Sequence, residues 1–83
     1  MIPVVAPDFG SPPVQNIAVS CWLAREGDVV VEGDRLVELI LNEITFDVAC
    51  PASGKLASIA VETDEPVSPG DVLAYVEPER IEE

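Results

Sequence analysis

Two runs of alternating apolar and polar residues meet across a short polar break. Before it, Val37, Leu39 and Leu41 alternate with Glu38 and Asn42; after it, Ile44, Phe46, Val48 and Cys50 alternate with Thr45, Asp47 and Ala49. A period of two on both sides of such a break predicts a β-hairpin with one buried face, turning at Asn42-Glu43. Elsewhere apolar runs are separated by most of the eight prolines and five glycines, which favours short strands and tight turns over helices. The predicted strands are Ile2–Ala6, Asn16–Ala24, Arg35–Leu41, Ile44–Ala49, Gly54–Val61 and Asp71–Glu77, with a short one at Val29–Val31. Pro7–Pro13 reads as a loop, and Pro51–Gly54 and Ser68–Gly70 read as turns.

The pattern repeats at an offset of 37 residues. Val30, Gly33, Asp34, Leu36 and Leu39 match Val67, Gly70, Asp71, Leu73 and Val76, while Trp22 falls on Ile59 and Val37 on Ala74. Each half reads as strand, Gly-Asp turn, strand. Gly33 and Gly70 are placed to supply a backbone conformation that side-chain-bearing residues avoid, and Asp34 and Asp71 to hold the turns through nearby amides. Neither half can bury its apolar face alone, so the two should pack face to face as a flattened all-β sandwich of two antiparallel sheets with pseudo-two-fold symmetry. In that arrangement the Asn42-Glu43 hairpin projects from one end and both termini lie at the other.

Length and composition narrow the function. Eighty-three residues fit one domain, spanning 1–78, with 79–83 as a frayed tail or the start of a linker. No run approaches the roughly 20 apolar residues of a membrane span. Without a basic and apolar leader after Met1, the chain is expected to be cytoplasmic or excised from something larger. Sixteen acidic against four basic side chains give a net charge of −12. That sign opposes nucleic acid and anionic membranes and is compatible with either a solvating shell or steering toward a basic protein partner. Cys21 and Cys50, without histidine, make a poor zinc site and read as small buried hydrophobes. No histidine is present and no serine or cysteine has an activating partner, so the chain is not expected to be an enzyme. Trp22, Phe9, Phe46 and Tyr75 read as core or interface packing.

The text flanking the hairpin is Glu26-Gly27-Asp28-x-Val30-x-x-Gly33-Asp34-x-Leu36 before it and Cys50-Pro51-x-x-Gly54 after it. With Pro7-Asp8-Phe9-Gly10 and Trp22-Leu23, this resembles the lipoyl/biotinyl carrier domain over nearly the whole chain. The resemblance implies the barrel-sandwich hybrid fold, with a lysine at the hairpin tip that takes the swinging-arm cofactor through an amide. The matching position here is Glu43, between Asn42 and Ile44, and Gly27 and Gly54 stand at the family's spacings, 16 residues before it and 11 after. Asn42 resembles the lipoyl aspartate in shape, and the methionines that flank a biotinyl lysine are missing, so the likeness is to the lipoyl branch.

A carboxylate offers no nucleophilic nitrogen. The sole lysine, Lys55, is predicted to lie away from the tip, where a ligase that reads position should miss it. The expectation is a lipoyl-like module with no cofactor in this chain, lipoate being the family's cofactor. It would serve as a docking or interaction domain for protein partners, such as subunits of a 2-oxo acid dehydrogenase-like complex or a lipoate-handling enzyme. One alternative is a true lipoyl, less readily biotinyl, carrier whose lysine was lost by engineering or variation. Another is a structural segment of a larger transport or carboxylase-type protein.

Overall fold

A computed structural model of the chain describes residues 1–8 and 17–79. Phe9, most of the Pro7–Pro13 loop, Asn16 and the tail after Glu79 lie outside the described residues. Among the described residues eight strands run in order: β1 Ile2–Val5, β2 Ile17–Trp22, β3 Val29–Val30, β4 Arg35–Leu41, β5 Ile44–Ala49, β6 Gly54–Ile59, β7 Pro66–Val67 and β8 Val72–Pro78. They form two four-stranded antiparallel sheets, β1-β8-β6-β3 and β5-β4-β2-β7. The expected all-β sandwich is present, and the described residues contain no helix.

The repeat is written into the hydrogen bonding. Shifting β2, β3 and β4 by 37 residues gives the bounds of β6, β7 and β8 residue for residue. Ile17 opposite Leu41 becomes Gly54 opposite Pro78, and the irregularity between Val19 and Cys21 recurs between Leu56 and Ser58. The Gly-Asp turns correspond as well. Gly33 and Gly70 have φ of 94° and 91°, and Asp34 and Asp71 accept the amides of Val31 and Ser68 at 3.2 and 2.9 Å.

Strand β7 was not predicted, although the repeat matches its Val67 to Val30. Two residues are too short for a visible alternation, and Pro66 disguises the strand; proline is accommodated because β7 is an edge. The predicted ends at Ala6, Ala24, Val31 and Val61 overran the strands, and Asp71–Glu77 slides one residue to Val72–Pro78; Ala6 still bonds the backbone of Gly70 and Asp71 just beyond its strand.

Both inner faces contribute to one core. Leu36, Leu39, Leu56 and Leu73 are fully buried with Val4, Val19, Val37 and Val76, each worth about 1.5–3 kcal/mol on burial. Among the described residues, no polar or charged residue is buried. Cys50 joins this core and Cys21 is half-buried, both as free thiols. Trp22 packs against the core's edge and donates Nε1–H to the Val61 carbonyl at 2.9 Å. Of the two readings of Tyr75, core or interface, the core one does not hold: it is exposed on the outer face, because its strand neighbours Ala74 and Val76 face inward. Strands β1 and β8 pair Ile2 with Val76, so the described chain's two ends lie in the sheet that does not contain the β4–β5 hairpin.

Candidate functional site

Strands β4 and β5 pair from Arg35 opposite Ala49 to Leu41 opposite Ile44, leaving Asn42 and Glu43 as a two-residue loop. Their φ values, 48° and 72°, are both positive. This is the signature of a type I′ turn, whose twist matches that of the flanking strands. Asparagine tolerates this conformation; a glutamate at the second position is uncommon and costs backbone energy. Asn42, Glu43 and Ile44 are all exposed, Ile44 at 60%, so an apolar side chain stands beside a carboxylate at the tip.

Carboxylates accumulate along the hairpin's outer face. Glu38 lies directly opposite Asp47, whose Oδ2 is 3.3 Å from Arg35 Nη1, an exposed pair worth little to stability. Across the neighbouring strand pair, Cys21 Sγ is 3.6 Å from Glu38 Oε2. Partial desolvation, then the Glu38 charge and its hydrogen bond, then Asp47, raise the Cys21 thiol above its ordinary value.

The structure brings together only some of the residues singled out in the sequence. Asn42, Glu43 and Ile44 share the tip. Gly27 and Gly54 sit instead beside β3 and β6 in the other sheet. Gly27 donates its amide to the Leu56 carbonyl at 2.7 Å. At Gly54 a Cβ would collide with the Glu77 carbonyl oxygen and stand 2.9 Å from the Glu79 amide nitrogen. Their spacing from residue 43 thus reflects strand packing. Lys55 lies on β6 between Val29 and Glu77, also in the sheet without the hairpin. No group of acidic or cysteine side chains among the described residues has the arrangement of a metal site. No helix there is long and apolar enough to cross a membrane.

An all-β sandwich of two pseudo-symmetric sheets, presenting a tight hairpin at one end, is the architecture of small carrier-type domains. The family profile described as "Biotin-requiring enzyme", of the biotin/lipoyl type, matches residues 2–76, and the chain belongs to that family. It is 30% identical over 74 residues to the dihydrolipoyllysine-residue acetyltransferase component of the pyruvate dehydrogenase complex of Mycobacterium bovis, covering 89% of this chain and 13% of that protein. It is 34% identical over 58 residues to the corresponding component of the acetoin cleaving system of Pseudomonas putida, covering 70% of this chain and 16% of that protein. The chain therefore spans a small fraction of these relatives. Among solved structures, the lipoyl domain of the 2-oxoglutarate dehydrogenase complex from Azotobacter vinelandii superposes with a TM-score of 0.75. That match covers 95% of this chain and 100% of that one at 22% identity, a likeness of fold.

These relatives correct one expectation. The chain was expected to stand apart from any cofactor, yet its family is defined by biotin-requiring enzymes and the relatives are named for a dihydrolipoyllysine residue. The cofactor chemistry of the family thus belongs to any account of this chain. The tip itself does not fit an amide-linked group, because the side chains of Asn42, Glu43 and Ile44 offer no amine.

Proposed function

We propose that this chain is a lipoyl-domain module of a 2-oxo acid dehydrogenase-type acyltransferase, with Glu43 in the place of the family's acceptor lysine, and that it works as a docking element for other subunits of such an assembly. It is a non-catalytic module in this reading. The observation that carries the reading is the type I′ turn at Asn42-Glu43, held in a family frame from residue 2 to residue 76. Exposed Ile44 beside Glu43 gives the tip an apolar contact and a charge, and the chain's net charge of −12 favours encounter with a basic surface.

The experiment is a Glu43→Lys substitution presented to a lipoate ligase with free lipoate. The expected result is a mass gain of one lipoyl group, mapped to residue 43 by peptide sequencing. If the new lysine stays unmodified while the variant remains folded, residue 43 is not equivalent to the acceptor position. Docking is read separately, by titrating the isotope-labelled chain with the decarboxylase subunit of a 2-oxo acid dehydrogenase complex. Amide shifts concentrated at residues 40–46 are expected, and shifts confined to other surfaces would overturn the role given to the hairpin.

A further inference from the structure

The sheet that lacks the hairpin carries a groove of about 560 Å³ beside β3, lined by Val29, Val31, Ser53, Lys55, Glu77 and Glu79 among others. Val29 is 81% exposed and Val31 54%, on either side of a buried Val30. Strand β3 is the edge of its sheet. Leu56 directs both its amide and its carbonyl toward the β3 side, to Asp28 and Gly27. The alternation of an antiparallel ladder then turns the amide and carbonyl of Val29 to the open side.

The pseudo-symmetry supplies an internal control. At the equivalent edge of the other sheet, the positions of Val29 and Val31 are taken by Pro66 and Ser68. Proline removes the amide and serine the apolar surface, two ordinary ways of closing an edge to further strands. One edge of this molecule is blocked and its twin is left open and apolar.

Charge selects the occupant. Glu77 and Glu79 line the groove against the single Lys55, and Glu32, whose amide donates to Ser53 Oγ at 2.9 Å, adjoins it. A second copy of the chain would bring a further net charge of −12 to an acidic rim. We propose that the β3 edge and its groove are a docking site for an extended peptide segment of a protein partner, one that alternates β-branched apolar residues with lysine or arginine and adds as a strand alongside Val29. Main-chain bonds to Val29 hold such a segment, its apolar side chains cover Val29 and Val31, and its net positive charge is drawn to the acidic surface around the groove. This surface is separate from the hairpin, so it stands or falls independently of the function proposed above.

The test is a titration of the isotope-labelled full chain with a capped synthetic peptide of alternating lysine and valine, and with its glutamate–valine counterpart. Amide shifts at residues 29–31, 53–55 and 77–79 are expected for the basic peptide only, weakening as salt is raised. Val29→Pro, which copies Pro66, should keep the fold and weaken binding about tenfold, the effect of a lost backbone hydrogen bond. Should that variant fail to fold, Val31→Ser combined with Glu79→Gln, both at exposed positions, carries the same expectation of weakened binding. The proposal is overturned by equal binding of the acidic peptide, by unweakened binding to whichever of these variants folds, or by shifts centred on the hairpin. It is equally overturned if groove shifts track protein concentration alone, which would mean self-association, or if binding appears only after residues 80–83 are removed, which would mean the chain's own end fills the groove.

Discussion

Replacing Glu43 with glycine should stabilise the protein, and the size of the gain tests the turn on which the functional reading rests. Glu43 holds φ at 72°, where its Cβ crowds the following carbonyl. That conformation costs an L-residue roughly 1–2 kcal/mol, and glycine escapes the cost. Glycine in turn loses more chain entropy on folding, about 0.4–1 kcal/mol. The net gain is about 0.5–1 kcal/mol. For a domain of this length each kcal/mol moves the melting temperature by about 4–8 °C, so Glu43→Gly should melt ~2–8 °C higher. Glu43→Lys keeps the same backbone demand and should stay within about 0.5 kcal/mol of the parent, as exposed substitutions do. Thermal melts and urea titrations with an unchanged m-value give both numbers. A Glu43→Gly chain no more stable than the parent, together with a Glu43→Lys chain weaker by more than about 1 kcal/mol, would refute the reasoning: the glutamate side chain would then be making a stabilising contact, and the tip would not be free to receive a partner.

Gly54→Ala should cost several kcal/mol, a large part of the roughly 5–15 kcal/mol available to a domain, because its Cβ meets the Glu77 backbone and β6 must separate from β8; urea unfolding reads the loss. Leu36→Ala and Leu73→Ala occupy symmetry-equivalent, fully buried positions, so each should cost about 2–5 kcal/mol, with the two midpoints close together. Trp22→Phe removes the hydrogen bond to Val61 and should cost about 1 kcal/mol, seen as a lower urea midpoint. The folded chain holds the Cys21 proton more tightly than the unfolded chain does, so the stability from this group is complete below the ordinary thiol range, about 8.5, and declines as pH rises through it. Glu38→Gln should relieve that decline and quicken the reaction of Cys21 with a maleimide in mildly alkaline buffer, while buried Cys50 stays slow; an unchanged rate would rule out Glu38 as a cause of the raised value.

The β4–β5 hairpin and the 37-residue repeat were legible because both depend on local order: side chains alternate across a strand with a period of two, and like turns need like residues. Strand β7 was missed because two residues carry no period. The site was legible only in part for a related reason. Gly27 and Gly54 keep fixed spacings from Glu43, which set the register of the family likeness, but spacing along a chain does not report proximity across two sheets. Only the hydrogen bonds and the close approach of Glu77 reveal that both glycines serve the β3–β6 corner.

By itself the sequence determined seven of the eight described strands, the turns, the acidic charge and the carboxylate at residue 43, since each follows from residue type and periodicity. Tertiary structure decided which edges are open. Val29 and Pro66 become comparable only when the two halves fold into sheets whose edges they occupy, because a free backbone amide is a property of what lies beside a strand and not of the strand's own residues.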